Sequence, residues 1–324
     1  MKGSVVLFWI ALLGLGGLQS AVWHGEAEAC ALHSSMPTLE GDTRRERGAE
    51  KDQDSEEDGA SGQREVQKKK YEYTFGVSTR SRTLQFGTTA QGRAQLDERM
   101  VLLEAGVRRK GAYGLGLALP IASRTLARPD GGTEGLQGPG DLSVEGSYEL
   151  SSRWQSPLYL DLRVGVLMPL RGLEQRDDGP YFHPDVQLGA GVFIPRVGAI
   201  AGVSIGENLQ GFLGADFVWA PESPDGVQRS ATLRVQPSLR YEIQEWFDFQ
   251  LGLPMRHEGS SRTSGEVEAF SGGTLVAVEP QLIFSFYHQL NLRVGGFLPV
   301  FQDLRGGARE SASLFAGIGF RGDL

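Results

Sequence analysis

Residues 230–243 read Ser-Ala-Thr-Leu-Arg-Val-Gln-Pro-Ser-Leu-Arg-Tyr-Glu-Ile, and this stretch decides the class of fold. Its side chains alternate with a period of two, so that Leu233 and Leu239 share one face while Arg234 and Arg240 share the other. Successive side chains of a β-strand point to opposite faces. The stretch therefore predicts a strand with one apolar face and one charged face. The same alternation recurs in residues 158–168, 247–255 and 290–300.

The pattern begins at Tyr71 and predicts about twelve strands. We place them at residues 71–79, 99–108, 112–121, 140–150, 157–169, 184–195, 198–219, 230–243, 247–256, 273–286, 290–301 and 310–320. Short connections, such as residues 196–197 and 244–246, alternate with long ones, such as 122–139 and 257–272. Outer-membrane barrels have short periplasmic turns, long extracellular loops and an even strand number. The sequence thus predicts an all-β chain whose residues 71–324 form a transmembrane antiparallel up-and-down β-barrel.

Residues 198–219 are long for one strand and contain Gly206-Glu207-Asn208, a candidate hairpin turn. We expect one long or bulged strand here, because the outward-facing side chains stay at odd-numbered positions from Ala199 to Trp219. A hairpin would also give an odd number of strands and place the C-terminus on the wrong side of the membrane. A count of about fourteen strands is the alternative to twelve.

The composition excludes several classes of protein. The chain has 324 residues, 45 Gly, one Cys and a formal net charge of −8. No internal run approaches the roughly 20 apolar residues of a membrane-spanning helix. A single Cys cannot form an internal disulfide. The negative charge argues against nucleic-acid binding, which needs a basic surface.

The N-terminal residues have the features of a secretory signal peptide, which we assign to residues 1–29. Lys2 precedes an apolar run of about 14 residues, which suits a signal better than a spanning helix. Cleavage after Ala29 fits the small-x-small rule, and cleavage near Ala21 is the alternative. Cys30 follows the first site, so lipidation of this cysteine is a second possibility, weakened by Glu28.

Residues 30–70 are charged and contain few apolar side chains, so they cannot bury enough surface to order themselves. We predict a disordered periplasmic extension. Its Lys68-Lys69-Lys70 triplet could contact anionic lipid headgroups, and a solvated linker without a partner is the alternative.

A search for catalytic chemistry finds none. No two of the five His have metal-ligand spacing, and no Ser–His arrangement typical of membrane phospholipases is visible. We therefore expect no enzyme activity, no cofactor and no metal site.

The polar faces of the strands predict the interior of the barrel. The candidate lumen-facing residues are Glu104, Asp141, Glu145, Glu149, Asp161, Arg163, Arg234, Arg240, Asp248, Glu279 and Arg293. Because inward carboxylates outnumber inward arginines in this assignment, we expect a hydrated passage with an acidic bias. The alternative is a salt-bridge lattice that fills a closed lumen.

Two features predict outer-membrane lipid and the barrel assembly machinery as partners. Aromatic residues near strand ends would form interfacial girdles: Tyr71, Tyr73, Tyr113, Trp154, Tyr159, Trp219, Tyr241, Trp246 and Phe247. The last strand, with Leu314, Ala316, Ile318 and Phe320 on one face, is similar to the C-terminal signal that the assembly machinery recognises.

Residues 114–120, Gly-Leu-Gly-Leu-Ala-Leu-Pro, are followed after a Gly-rich segment by Gly138-Pro139-Gly140-Asp141-Leu142. This succession resembles the MetA-pathway phenol-degradation family of outer-membrane transporters, over about residues 71–324. The resemblance implies uptake of small, often aromatic, organic molecules. We therefore expect an outer-membrane channel for passive passage of a small solute; the alternative is a closed-lumen structural or adhesive barrel.

Overall fold

The computed structural model describes residues 71–87, 93–109, 112–150, 158–175, 182, 186–267, 271–287 and 289–323. The predicted signal peptide and charged extension lie outside these residues, so both stay predictions. In the described part of the chain, no helix has the length and apolar character needed to cross a membrane.

Twelve antiparallel strands form one closed barrel, as predicted. They are β1 (Tyr71–Phe86), β2 (Ala94–Arg109), β3 (Tyr113–Ala127), β4 (Thr133–Pro139 and Leu142–Glu149), β5 (Leu158–Met168), β6 (Ile194–Ser204), β7 (Leu209–Val218), β8 (Thr232–Gln244), β9 (Phe247–Gly252 and Met255–Glu258), β10 (Gly273–Phe286), β11 (Leu290–Leu304) and β12 (Arg309–Glu310 and Ser313–Asp323). Each strand pairs with its sequence neighbours, and β1 pairs with β12 from Glu72↔Asp323 to Arg80↔Phe315. This last pairing closes the ring and leaves no exposed sheet edge.

Three connections carry further short elements. Val227–Gln228 pairs with Arg262–Thr263, which pairs with Glu266–Val267, so the β7–β8 and β9–β10 loops share a small sheet. A 3-10 turn, Arg305–Gly307, joins β11 to β12. These elements lie at one end of the barrel, the long-loop end. Tight turns such as residues 205–208 and 245–246 lie at the other, the short-turn end.

The two faces of the strands differ as the alternation predicts. On β8, Leu233 and Leu239 are 45% and 50% exposed, whereas Arg234 and Arg240 are each 5% exposed. Apolar side chains on the outer face suit a lipid environment, and charged side chains on the inner face need ion pairs or water.

The prediction for residues 184–219 was wrong in two places. Residues 186–193 are loop, and Ile194–Ser204 and Leu209–Val218 are two strands joined by a tight turn. Residues 196–197, which were predicted to be a turn, lie inside β6. The two errors offset each other, so the count stayed at twelve.

The parity argument failed for a geometric reason. In this hairpin Ala199 pairs with Ala215 and Ala201 pairs with Leu213. Odd-numbered residues therefore face odd-numbered residues across the turn. Because cross-strand partners share a face, the outward parity is the same on both arms, and it cannot distinguish a hairpin from one long strand.

Strands β1 to β4 extend further toward the long-loop end than predicted, and the segment 122–139 is not a long loop. It continues β3 and β4 around a tight turn at residues 128–132, where the N–H of Arg128 donates to the carbonyl of Gly132 at 2.8 Å. In these tips the outer face is polar, while the inner face mixes charged side chains such as Arg124 with apolar ones. Outward positions carry Ser81 and Thr125, while Phe86 is buried inside.

The change of the outer face from apolar to polar marks the upper limit of the apolar belt. On β3, the exposed outward residues Tyr113, Leu115, Leu117 and Ile121 span residues 113–121, and Ser123 follows. A membrane-crossing strand needs about 9–11 residues. The predicted strand bounds therefore marked the membrane-facing part of longer strands.

Candidate functional site

The interior contains a cavity of about 250 Å³ beside strands with small inward side chains. Its small lining residues are Thr74, Gly76, Ser78, Gly106, Gly114, Gly116, Ala118, Ser143, Ser147, Gly317 and Gly319. These positions belong to β12, β1, β2, β3 and β4. Because short side chains leave space that long ones would fill, the cavity lies against this side of the barrel.

A continuous chain of ion pairs borders the cavity and extends away from it to β8. Asp161 pairs with Arg163 at 3.3 Å, and Arg163 pairs with Glu145 at 3.3 Å. Glu145 also pairs with Arg196, at 3.6 Å.

The chain continues from β6 to β8 through Asp216. This carboxylate lies 3.5 Å from Arg196 and 3.5 Å from Arg234, and it is 2% exposed. Buried charges are stable only when paired, so the ion-pair chain fixes the side chains along the inner faces of β4 to β8.

A second cluster surrounds the carboxylate of Glu310, close to the long-loop end. Arg82 lies 3.0 Å away, Arg256 3.3 Å and Arg80 3.9 Å. The guanidinium of Arg80 also lies 4.8 Å from the centre of the Phe297 ring. Three strands, β1, β9 and β12, are thereby tied together inside the barrel.

The predicted lumen-facing residues fall into different environments. Glu145, Asp161, Arg163 and Arg234 belong to the ion-pair chain described above. Arg240 pairs with Asp248 at 2.5 Å, and Glu149 pairs with Arg108 at 2.7 Å. Glu279 accepts a hydrogen bond from Gln281 at 2.6 Å, and Asp141 accepts one from a loop. Glu104 and Arg293 line the cavity. Whether they act in conduction stays a prediction.

In the described residues the buried charged side chains show no acidic excess, and the acidic bias of the passage itself stays a prediction. Among buried charged side chains there are seven arginines and seven carboxylates. The sequence assignment omitted Arg80, Arg82, Arg124 and Arg196, because these residues lie in segments that were predicted to be loops or turns. Tyr159 is likewise no girdle residue: it is buried, and its hydroxyl accepts a hydrogen bond from Arg108 at 3.0 Å.

Residues 186–190, called the plug below, cross the interior near the long-loop end. Val186 is 0% exposed and packs with Phe86, Leu96, Leu126 and Ala308, which lie on β1, β2, β3 and beside β12. Two residues later, Leu188 packs with Met100 and Ala122 of β2 and β3.

The other end of the plug contacts a different part of the barrel wall. Ala190 packs with Leu167, Ile194 and Val218 of β5, β6 and β7. Five extended residues reach at most about 18 Å. The plug is thus a short strap between two sides of the barrel, a feature that the predicted strand at 184–195 concealed.

The polar groups of the plug are satisfied by hydrogen bonds from its surroundings. The buried side chain of Gln187 accepts from the N–H of Glu174 at 2.9 Å and donates to its carbonyl at 2.7 Å. Arg229, from the β7–β8 loop, donates to the carbonyls of Gln187 and Gly189 at 3.2 and 2.8 Å. The guanidinium of Arg124 donates to the Gln187 carbonyl as well.

The described residues contain no cluster of metal-ligating side chains. No group of three or more His, Cys, Asp or Glu side chains there could hold a metal ion. His257 is exposed, with its Nδ1 atom 2.9 Å from Thr274 Oγ1. His183 and His288 lie outside the described ranges.

The barrel is similar to several solved structures. An outer-membrane channel from Pseudomonas putida F1 matches with a TM-score of 0.63 and 15% identity, covering 82% of this chain and 100% of that one. The translocator domain of the autotransporter NalP from Neisseria meningitidis gives 0.46 and 9%, covering 93% and 99%. The CymD monoaromatic hydrocarbon channel gives 0.41 and 7%, covering 79% and 89%. No protein-family model and no curated protein matches the chain. The first of these likenesses shows the fold: the chain has the fold of an outer-membrane β-barrel.

Proposed function

We propose that the protein is a channel of a bacterial outer membrane that passes a small solute down its concentration gradient. The observation that carries this proposal is the cavity of about 250 Å³ inside a closed barrel with an apolar outer face. The cavity is lined by Gly, Ser, Thr and charged side chains, so it can hold water and a polar or amphipathic solute. The cavity favours this function over a closed-lumen structural or adhesive barrel.

The finer parts of the proposal follow from general properties of such barrels and from the sequence. Short turns of outer-membrane barrels face the periplasm. We therefore place the short-turn end, with the start of β1 and the end of β12, and the extension 30–70 in the periplasm. Lipid and the barrel assembly machinery are the proposed partners. The resemblance to the MetA-pathway phenol-degradation family supports an aromatic or other small organic molecule as the solute, and a function without catalysis.

Planar-bilayer recording of the purified full chain in KCl tests the channel itself. The matched variant replaces every non-glycine residue of the plug with Gly, which removes the side chains that the plug places inside the barrel. We expect current steps from the wild type and larger steps from the variant. If neither protein conducts while both show the heat-dependent gel migration of a folded barrel, the closed-lumen alternative is correct.

A second recording tests the solute class. Permeability to benzenesulfonate is compared with permeability to methanesulfonate, which carries the same charge without the ring. Higher permeability to the aromatic anion supports the aromatic solute. Equal or lower permeability contradicts that part of the proposal and leaves the channel function standing.

A further inference from the structure

The segment Gly138-Pro139-Gly140-Asp141 interrupts β4, and nothing in the channel function so far explains it. Strand pairing stops at Pro139 and resumes at Leu142, which pairs with Met168 of β5. Gly138 has a φ of 147°, a backbone conformation that side chains disfavour. Pro139 lacks the N–H that a continuous ladder would use. The break therefore exposes the chain to contacts other than its neighbouring strands.

Those contacts come from the plug. Asp141 Oδ2 accepts a hydrogen bond from the N–H of Ala190 at 2.9 Å. A Cβ atom on Gly189 would lie 2.7 Å from Asp141 Oδ1, and a Cβ atom on Gly140 would lie 3.0 Å from the carbonyl oxygen of Leu188. A side chain at Gly189 would therefore displace the Asp141 carboxylate, and a side chain at Gly140 would require the plug backbone to move slightly.

The loop before the plug also contacts the break in β4. A Cβ atom on Gly138 would lie 2.5 Å from the guanidinium of Arg171. Arg171 in turn forms an ion pair with Glu174, whose backbone is held by the Gln187 side chain. Each of Gly138, Gly140 and Asp141 thus meets the connection between β5 and β6.

The plug is held from two directions at this point. Arg229 donates to the carbonyl of Gly189 at 2.8 Å from the β7–β8 side, and Asp141 accepts from Ala190 on the β4 side. The charge-assisted bond to Asp141 replaces water at a backbone N–H whose residue is only 4% exposed. Loss of the carboxylate would leave this N–H buried without that partner.

We propose that Asp141, presented by the break in β4, is the positioning residue that holds the plug across the bore, and that conduction requires the Asp141–Ala190 contact to open. This inference rests on the proposed channel function. It assigns the Gly138–Asp141 motif a role in gating, and it explains why an acidic residue follows two glycines there.

The first test compares Asp141→Ala with Asp141→Asn in planar bilayers in KCl. The Asn side chain keeps an oxygen that can accept from Ala190, whereas Ala cannot. Because a hydrogen bond to a charged group contributes substantially to stability, Asp141→Ala should shift the open/closed ratio about tenfold or more toward open. Asp141→Asn should stay closer to the wild type. Asp303→Ala, at an exposed position near the same end, is the control and should leave conduction unchanged.

The second test makes the contact reversible and separates gating from folding. Asp141→Cys and Gly189→Cys are combined in a Cys30→Ser background, with heat-dependent gel migration as the check on folding. The oxidised protein should conduct less than the reduced one, and dithiothreitol should restore current. The gating role of Asp141 is contradicted if Asp141→Ala conducts like the wild type while the glycine-substituted plug conducts more. If the glycine-substituted plug conducts nothing, the channel function itself fails.

Discussion

The carboxylate of Glu145 forms ion pairs with two arginines inside the barrel. Its oxygens lie 3.3 Å from Arg163 and 3.6 Å from Arg196, and its side chain keeps 16% exposure beside the cavity. A charge on the wall of a narrow pore acts strongly on passing ions, because the low-dielectric wall focuses its field. The charge of Glu145 currently offsets part of the positive charge of both arginines.

We expect Glu145→Gln to shift ion selectivity toward anions. The substitution removes one negative charge from the cavity lining and keeps the shape of the side chain. The wild type should be only weakly selective, because the buried charges are balanced. Reversal potentials under a KCl gradient measure both proteins.

Glu266→Gln is the control for this selectivity prediction, since Glu266 is exposed in a loop at the long-loop end. It removes the same charge away from the cavity and should leave the reversal potential unchanged. A shift of Glu145→Gln toward cations, or an equal shift in both variants, would contradict the role assigned to Glu145.

Leu162 and Leu251 test the outer face at the residue scale. They are 44% and 41% exposed on β5 and β9. Arginine near the bilayer midplane destabilises such barrels by about 2–4 kcal/mol, and near the interface by about 0–1 kcal/mol. Leu162→Arg and Leu251→Arg should each lower the free energy of unfolding by the larger amount, measured by urea titration in lipid.

The control for the outer face is Leu170→Arg, because Leu170 is exposed just beyond the end of β5. The loss of unfolding free energy that Leu170→Arg causes should fall in the smaller range. Arg234→Leu, on the inner face of β8, is not a neutral control. It would remove one of the two arginines that lie 3.5 Å from the buried Asp216, and breaking a buried ion pair costs about 3–5 kcal/mol. Equal, small effects of all the Leu→Arg changes would contradict a membrane-facing surface.

At the scale of elements, the β6–β7 hairpin depends on Gly206. This residue has a φ of 93°, and no atom lies within 4 Å of where its Cβ would be. A side chain therefore meets no steric obstacle from other residues, and the cost of substitution comes from the backbone alone. Gly206→Ala should destabilise the barrel by about 1–2 kcal/mol.

The matched variant for this hairpin is Gly206→Asn, because asparagine tolerates positive φ better than alanine does. It should be less destabilising in the same urea titration. If Ala and Asn cost equally little, the turn does not require the positive φ.

What could be predicted of the elements follows from what the alternation encodes. It places Leu233 outside and Arg234 inside correctly, because residues of a strand alternate between the faces regardless of topology. It could not find the β6–β7 hairpin, where parity is the same on both arms. It could not find the plug either. The apolar residues Val186, Leu188 and Ala190 alternate like those of a strand, yet they pack inward against three parts of the wall.

At the scale of the whole molecule, the barrel has two zones. In the membrane zone the outer face is apolar and the inner face is charged. In the tips of β1 to β4 the outer face is polar, and Phe86, Leu96 and Leu126 form an apolar cluster inside with the plug. The outer face of the second zone has the polarity of a water-soluble protein. This zone therefore lies beyond the hydrocarbon, and the plug crosses the interior of the barrel there.

The two zones predict which outward positions meet water. Ser81 and Thr125 face outward above the apolar belt, whereas Val77 and Leu117 face outward within it, on the same two strands. Each is replaced with Cys in a Cys30→Ser background, and the cells are treated with a membrane-impermeant maleimide. Ser81→Cys and Thr125→Cys should be labelled on intact cells, since the long-loop end is placed outside. Val77→Cys and Leu117→Cys should be protected by lipid until the barrel is denatured.

Rapid labelling of all four positions would contradict the membrane belt. Labelling of Ser81→Cys and Thr125→Cys only after the outer membrane is permeabilised would keep the belt and invert the orientation. Because all four sites share one face of β1 or β3, differences in reactivity report depth relative to the membrane rather than burial inside the barrel.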